Sequence, residues 1–248
     1  MSVTKKRLDL ILVDRGLAMS RERAQALILA GNVLVEDVPH TKSGHLISVS
    51  AVIRIRGQDH PYVSRGGLKL KAALDAFSIP VTGRVGLDVG ASTGGFTQVL
   101  LMGGAVKVFA VDVGHNQMDW KIRQDPKVVC IEKVNARSLD FSLIGQKVDI
   151  IVIDVSFISL DKILPTLLQF GTPETDWVTL IKPQFEVGKE KVGKGGIVTS
   201  EVDRQEAVAR IQTFGKSIGL IPQGLIDSPI TGTQGNKEYL SFWKLKSD

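Results

Sequence analysis

The chain has 248 residues, 43% of them hydrophobic and 23% charged, which is typical of a globular protein with one large and one small domain. A single cysteine, Cys130, excludes a disulfide framework, and no apolar stretch approaches the ~20 residues that span a bilayer, so we expect a cytoplasmic protein without a membrane partner. The net charge is +5, and residues 1–65 hold ten basic against six acidic side chains, which predicts a polyanion-binding module there.

The first sixty residues predict two short helices followed by a small sheet, an α+β unit. Apolar residues recur at helical spacing over 8–17. Ser20 is placed to cap a second helix, and this helix is expected to end at Gly31. The apolar runs 33–35 and 52–55 then predict strands.

Part of this unit resembles a known module, on the runs Arg7-Leu8-Asp9, 16–21 and 31–35. The pattern is similar to the S-four-type RNA-binding module of ribosomal protein S-four, which pseudouridine synthases and tyrosyl-tRNA synthetases also carry. The resemblance implies an RNA partner whose phosphates face basic side chains. The RNA contacts expected in this unit are Lys6, Arg7, Arg21 and Arg23.

A domain boundary is predicted at residues 57–64, because they lack periodicity and contain a proline. It separates a first domain, 1–60, from a second, 61–248. Just after it, Arg65 is a further candidate for RNA contact. A helix is then expected to carry Lys69, for which a solvated surface position is the alternative.

Strands and helices alternate from residue 85 onward, which predicts a mostly parallel sheet with helices on both faces. The predicted fold class is therefore α/β, a doubly wound Rossmann-like sheet preceded by the small α+β domain. Ser200 is placed to cap the last helix. The predicted strands are 85–89, 106–111, 128–131, 149–154, 177–183 and 239–245.

A glycine turn follows the first of these strands and opens a helix, as at the nucleotide-binding corner of an α/β sheet. It lacks the glycine spacing of a dinucleotide site and the lysine of a phosphate-binding loop. Asp88 at the strand end suits a cationic or hydroxyl-bearing ligand, and S-adenosylmethionine fits that description. Asp112, which ends the second strand, is expected to accept hydrogen bonds from a ribose diol. Glycines that serve packing alone are the alternative.

Charged residues end four of the predicted strands: Asp88, Asp112, Asp154 and Lys182. Because buried charge is costly and ligands bind at the carboxyl edge of such sheets, the set predicts a site. The loop 188–196, with three lysines among glycines, is either a flap that contacts RNA or a solvated loop.

Residues 88–97 resemble the cofactor motif of FtsJ-like ribose 2′-O-methyltransferases. Those enzymes carry a Lys-Asp-Lys-Glu tetrad, and an S-four-type module ahead of such a domain is similar to the TlyA family, also named haemolysins. The tetrad implied by the resemblance is Lys69, Asp154, Lys182 and Glu238. The implied cofactor contacts are Asp88, Gly90, Ala91, Ser92, Thr93, Gly94, Gly95, Phe96, Asp112, Val113, Asn135 and Asp154, with Asn135 standing where an acidic residue often contacts adenine.

The resemblance implies 2′-O-methylation of a cytidine in the ribosomal RNA of the large subunit, and a second target in the small subunit is left open. No metal is expected. Lys182 would assist the attacking hydroxyl, either as a base or by holding the alkoxide. Two rival functions stay open, a membrane-lysing protein and a non-catalytic RNA-binding factor, and so does the oligomeric state.

Overall fold

The computed structural model describes residues 4–18, 20–56, 60–232 and 234–247. These residues form two compact units, Met1–Pro61 and Tyr62–Asp248. Residues 57–59 of the predicted boundary lie outside the described part of the chain.

The first unit packs two helices and short antiparallel strands around an aliphatic core, and it has the predicted α+β character. Leu8, Leu12 and Ile28 are fully buried in that core. The Ser20 hydroxyl caps the second helix, as predicted, by accepting a hydrogen bond from the Arg23 N–H. The elements are α1 (Leu8–Asp14), α2 (Arg21–Leu29), β1 (Lys5–Arg7), β2 (Val33–Val35), β3 (Val38–His40), β4 (Leu46–Ser48) and β5 (Ile53–Ile55).

Two small sheets complete this unit. Strand β2 pairs with β3 and β5, and β1 pairs with β4. The sequence predicted only the strands that became β2 and β5. In the other three strands Ile47 is the one buried residue, so they carry no buried apolar run that would reveal them.

A seven-stranded sheet organises the second unit. Its strands are β6 (Val85–Val89), β7 (Lys107–Val111), β8 (Val128–Ile131), β9 (Ile150–Ile153), β10 (Asp176–Ile181), β11 (Leu220–Asp227) and β12 (Tyr239–Leu245). They are arranged in the order β11-β12-β10-β9-β6-β7-β8. Strands β6 to β10 are parallel, and β12 is antiparallel to both of its neighbours.

Helices cover both faces of this sheet, which confirms the predicted doubly wound α/β class. The helices are α3 (Gly66–Ala76), α4 (Gly95–Met102), α5 (Trp120–Arg123), α6 (Phe141–Ile144), α7 (Leu164–Leu167), α8 (Pro183–Glu186) and α9 (Glu201–Ser217). Alternate residues of β9 face two cores: Ile151 packs in one core with Ile211 of α9, and Ile150 packs in the other with Leu70 of α3. A strand that is buried on both faces must be apolar throughout, as β9 is.

Strand β11 is absent from the sequence-based prediction. It contains Pro222 and Gly224, two residues that weaken a strand pattern. The structure places it at the edge of the sheet, with a register shift between these two residues. Edges and bulges are where a strand tolerates proline.

Among the described residues, no helix is both long enough and apolar enough to cross a membrane.

Candidate active site

Two adjoining cavities open where the parallel strands end. The lysine cavity, of about 710 Å³, is lined by Lys182, and the aspartate cavity, of about 610 Å³, is lined by Asp112. Gly90 and Asp154 line both, so ligands in the two cavities would meet there. Of the predicted cofactor contacts, the cavities bring together Gly90, Ala91, Ser92, Thr93, Gly95, Phe96, Asp112, Val113, Asn135 and Asp154.

The four tetrad residues form two ion pairs against the lysine cavity. Lys182 Nζ lies 2.7 Å from Asp154 Oδ1. Lys69 Nζ lies 2.6 Å from Glu238 Oε2. Both lysine side chains are only 10% exposed, so these charges interact with little screening by water. Each lysine therefore has its own carboxylate partner.

The position of Lys182 follows from the elements on either side of it. It directly follows β10, whose six residues are all buried. Pro183 then begins α8, at a helical position where the missing N–H of proline carries no cost. The buried strand β10 and the proline that begins α8 therefore hold Lys182 at the carboxyl edge of the sheet.

Buried Glu186 anchors the same turn at the end of α8. Its carboxylate accepts hydrogen bonds from the Ser159 hydroxyl and from the Leu160 N–H at 2.9 Å, and it pairs with the Arg210 guanidinium. Burial raises the pKa of this carboxyl group above its ordinary value. The contacts tie α8 to the chain after β9 and hold the Lys182 segment in place.

Asp112 is held at the wall of the aspartate cavity by backbone groups. Its carboxylate accepts a hydrogen bond from the Ser92 N–H at 2.8 Å and one from the N–H of Gly114 at 2.6 Å. Each oxygen keeps a further lone pair for a ligand. Val113, with 71% of its surface exposed, adds an apolar face to the same cavity. A carboxylate beside an apolar face suits a nucleoside.

Asn135 has a structural role as well as a place in the aspartate cavity. Its side-chain oxygen accepts a hydrogen bond from the Arg137 N–H at 3.0 Å and caps a short 3₁₀ turn, Ala136–Ser138. The side-chain NH₂ is the group left for a ligand.

Two of the predicted cofactor contacts line neither cavity. Asp88 is fully buried, and its Oδ2 accepts a hydrogen bond from the Thr97 hydroxyl at 2.6 Å. Burial raises the pKa of Asp88 to about 7, because desolvation disfavours its charged form. Gly94 has a φ of +91°, and a Cβ there would meet the Ile122 side chain at 3.2 Å. Asp88 and Gly94 therefore take part in the internal packing of the glycine turn after β6.

In the first unit, the buried carboxylate of Asp9 engages two of the predicted RNA contacts. It accepts hydrogen bonds from Arg7 Nε at 3.0 Å, Arg21 Nε at 3.1 Å and the Gln25 amide at 3.0 Å. The Arg7 guanidinium holds the pKa of Asp9 well below its usual range. The Arg7 and Arg21 side chains are still 40% and 51% exposed. Asp9 therefore holds the guanidinium groups of Arg7 and Arg21 close together on the exposed surface of the first unit.

The remaining predicted RNA contacts differ in their surroundings. Lys6 forms an exposed ion pair with Asp14, so its charge is partly offset. Arg23 lies in the first turn of α2. Arg65 is exposed and lines the lysine cavity, where it adds a guanidinium to the rim.

The loop 188–196 forms part of the wall of the lysine cavity, through Val192 and Gly196. Lys191 ties the loop to α9 by an ion pair with Asp203 at 2.8 Å. Lys191 therefore holds the loop against α9, and contact of the loop's exposed lysines with RNA stays a prediction.

Sequence reasoning missed Phe157, which lines both cavities and is 91% exposed. Its φ is +64°, which is rare for a bulky residue, and its ring lies 5.1 Å from that of Phe185. Ser156, which accepts a hydrogen bond from Lys182, was missed as well. An aromatic residue three positions after the strand-ending Asp154 was the available signal, but no periodicity marks such a position.

Comparisons with known proteins agree on the family. A model described as FtsJ-like methyltransferase matches residues 62–245, and one described as S4 domain matches residues 6–53. The 16S/23S rRNA (cytidine-2′-O)-methyltransferase TlyA of Mycobacterium tuberculosis is 44% identical over 98% of this chain and 91% of its own length. Hemolysin A of Brachyspira hyodysenteriae is 42% identical over 96% of this chain and 99% of its own length.

The solved structure of a hemolysin candidate from Streptococcus thermophilus has the same fold over the whole chain. It is 38% identical with a TM-score of 0.78, and the match covers 100% of this chain and 90% of that one. The resemblance seen in the sequence is thereby confirmed. This chain belongs to the TlyA family and joins an S4 domain to an FtsJ-like methyltransferase domain.

Proposed function

We propose that this protein transfers a methyl group from S-adenosylmethionine to the ribose 2′-hydroxyl of a cytidine in ribosomal RNA. The proposal rests on two ion pairs, Lys182–Asp154 and Lys69–Glu238, which line the lysine cavity next to the aspartate cavity. The name of the Mycobacterium relative supports cytidine as the target and the RNA of both subunits as the substrate. We expect a protein that acts on ribosomal RNA to work in the cytoplasm.

The residues of the aspartate cavity fit S-adenosylmethionine. The Asp112 carboxylate is fixed by two backbone N–H groups, so it is oriented in advance to accept from a ribose diol. Val113 offers an apolar surface for a purine. Gly90 has a φ of +85°, and a Cβ there would lie 2.3 Å from the Asp154 carbonyl oxygen, so only glycine fits. Bound there, S-adenosylmethionine supplies a methyl group on a sulfonium centre.

Lys182 is the residue placed to act on the attacking oxygen. A ribose hydroxyl is a weak nucleophile that loses its proton as it attacks, so a cation at that oxygen stabilises the developing alkoxide. Asp154 fixes the Lys182 head at 2.7 Å, which orients it before substrate arrives. The lysine either accepts the proton of the hydroxyl, or it holds the developing alkoxide while solvent water takes the proton.

Lys69 and Glu238 form the second charged wall of the same cavity. With Glu238 at 2.6 Å, Lys69 adds no net charge beside Lys182. Two unpaired ammonium groups in one buried cavity would repel each other. The second pair therefore shapes the cavity while leaving Lys182 as the group that acts on the hydroxyl.

An exposed aromatic and several cations fit the RNA side of the reaction. Phe157 presents a ring at the boundary of the two cavities, and base stacking on such a ring is sequence-tolerant. Arg65 at the rim suits a neighbouring phosphate. The guanidiniums of Arg7 and Arg21 would hold RNA at the S4 domain.

The Brachyspira relative's name defines a competing function, lysis of membranes. Leakage of a dye from phospholipid vesicles by the purified protein discriminates the two. We expect no leakage at concentrations where RNA is methylated. A non-catalytic RNA-binding factor is the other rival, and it would bind ribosomal subunits without transferring methyl groups.

Single-turnover transfer of a labelled methyl group to ribosomal subunits tests the proposal. Lys182→Ala should abolish transfer while cofactor affinity stays close to wild type, because the contact is made mainly in the transition state. Lys216→Ala, in the last turn of α9, is the matched control and should transfer normally. Full activity in Lys182→Ala would overturn the assignment.

Lys182→Arg separates the two roles of the lysine. Arginine keeps the positive charge but does not lose its proton in proteins. If Lys182 is the base, the Arg variant should be as inactive as the Ala variant at every pH. If it holds the alkoxide, activity should survive in part. Calorimetric titration with S-adenosylmethionine confirms that both variants keep an intact site.

A further inference from the structure

Lys182 has a second partner that lies outside the tetrad. Its ammonium donates a hydrogen bond of 2.8 Å to Ser156 Oγ, in addition to its ion pair of 2.7 Å with Asp154. An ammonium group has three N–H donors. In the described parts of the chain, Lys182 has this one hydrogen bond and this one ion pair, so its ammonium can still donate to a substrate in the lysine cavity.

We propose that Ser156 is a positioning residue for methyl transfer, which acts by fixing the orientation of the Lys182 head. The inference rests on the proposed function. Lysine carries its charge on a flexible four-carbon stem, and a single carboxylate contact leaves the ammonium free to rotate. Two contacts, to Asp154 and Ser156, define the direction of the third N–H. Orientation of this kind is a large part of catalysis of a displacement reaction.

The backbone holds Ser156 where this role requires it. The residue lies in the turn after β9, between Asp154 and Phe157. The Asp154 end of the turn packs closely on Gly90, whose missing Cβ would lie 2.3 Å from the Asp154 carbonyl oxygen. Phe157 closes the turn with a φ of +64°. The close packing of Asp154 on Gly90 fixes the backbone two residues before Ser156, which limits the positions that its hydroxyl can take.

The arrangement serves both chemical roles of Lys182. A charged lysine keeps its ion pair with Asp154, donates one N–H to Ser156 and can donate another to the developing alkoxide. A neutral lysine can keep its N–H donation to Ser156 while its lone pair turns toward the hydroxyl proton. In both cases the Ser156 hydroxyl determines which side of the nitrogen faces the substrate.

Steady-state methylation of ribosomal subunits by the full-length protein tests the role of Ser156. Ser156→Ala should lower kcat roughly tenfold, the effect of one lost hydrogen bond to a charged group, with the KM for S-adenosylmethionine within about twofold. Ser156→Thr keeps the hydroxyl and should restore kcat to within about threefold of wild type. Ser217→Ala is the control, because this exposed serine donates its hydrogen bond to the Phe214 carbonyl within α9. Thermal unfolding should be the same for all variants.

Three results would overturn the inference. One is a wild-type kcat in Ser156→Ala. Another is a raised KM for S-adenosylmethionine at unchanged kcat, which would assign Ser156 to cofactor binding. The third is a Thr variant as slow as the Ala variant. Failure of the wild-type protein to methylate ribosomal RNA would instead overturn the proposed function, so the two failures are distinguishable.

Discussion

Lys69 and Glu238 are 169 positions apart in the sequence and form an ion pair of 2.6 Å whose side chains are 10% and 3% exposed. The pair ties the first helix of the methyltransferase domain, α3, to the residue before its last strand, β12. Because it also lines the lysine cavity, it contributes to the stability of the domain and to the charge balance of the site.

Breaking this pair should destabilise the protein strongly. Glu238→Gln leaves the Lys69 ammonium buried without a counter-charge, and loss of one partner of a buried pair costs about 3–5 kcal/mol. Urea denaturation of the variant should show a lower midpoint with an unchanged slope. Lys71→Ala removes an exposed ion pair with Asp75 on the same helix and should leave the midpoint unchanged. A Glu238→Gln variant as stable as wild type would contradict this prediction.

The buried carboxyl of Asp88 predicts a specific pH dependence of stability. Its pKa is raised from 3.8 to about 7 by burial, so between these values the folded state holds a proton that the unfolded state has lost. The free energy of unfolding therefore falls as pH rises through this window and is level above it. Asp88→Asn removes the titration. The free energy of unfolding of the variant minus that of wild type should therefore increase from pH 5 to pH 8, by roughly 1–4 kcal/mol.

The hydroxyl of Thr97 offers a second test of this pH dependence, which is measured by denaturation at a series of pH values. It donates a hydrogen bond to Asp88, which lowers the pKa of that carboxyl against the effect of burial. Thr97→Val should therefore extend the loss of stability to higher pH. Parallel stability curves for wild type and Asp88→Asn would show that Asp88 does not titrate in this range.

Much of the methyltransferase domain could be predicted because its parallel strands are buried on both faces. The runs that became β9 and β10 stand out as apolar segments rich in β-branched residues, and the residues that end the parallel strands meet at one edge by topology. Strand β11 was not predicted because Pro222 and Gly224 interrupt its pattern. The strand accommodates both residues because it lies at the edge of the sheet.

The details of the site depended on side-chain packing that no local pattern encodes. The sequence favoured Asp88 as a cofactor contact because it ends a strand, but its side chain points into the interior toward Thr97. The pairing of Lys69 with Glu238 joins distant positions, and the contact of Lys182 with Ser156 depends on one turn. Residue types predicted the site, and tertiary packing decided which of them face it.

Asp112 should determine cofactor affinity. Asp112→Ala removes a charge-assisted acceptor for the ribose diol, which should weaken binding of S-adenosylmethionine by about 1.5–3 kcal/mol, or roughly tenfold to a hundredfold. Isothermal calorimetry measures the loss. Asp140→Ala removes an exposed aspartate that lines neither cavity, the cap of α6, and should leave affinity unchanged. Equal affinity in the Asp112 variant would place the ribose elsewhere.

Arg21 should contribute to RNA binding as a phosphate contact. Its Nε is engaged by Asp9, while 51% of its side chain is exposed. Arg21→Ala should weaken binding to ribosomal RNA and reduce the slope of log affinity against log salt by about one. Arg54→Ala is the control, because this arginine is engaged in an exposed pair with Asp37. An unchanged salt slope in Arg21→Ala would exclude a phosphate contact there.

The most direct test of the central claim is the identity of the product nucleoside. Ribosomal subunits are incubated with the protein and labelled S-adenosylmethionine, and the RNA is digested to nucleosides and separated with mass detection. The account predicts label in 2′-O-methylcytidine with wild-type protein and none with Lys182→Ala. Label on a base, label on a ribose other than that of cytidine, or no label with wild-type protein would contradict it.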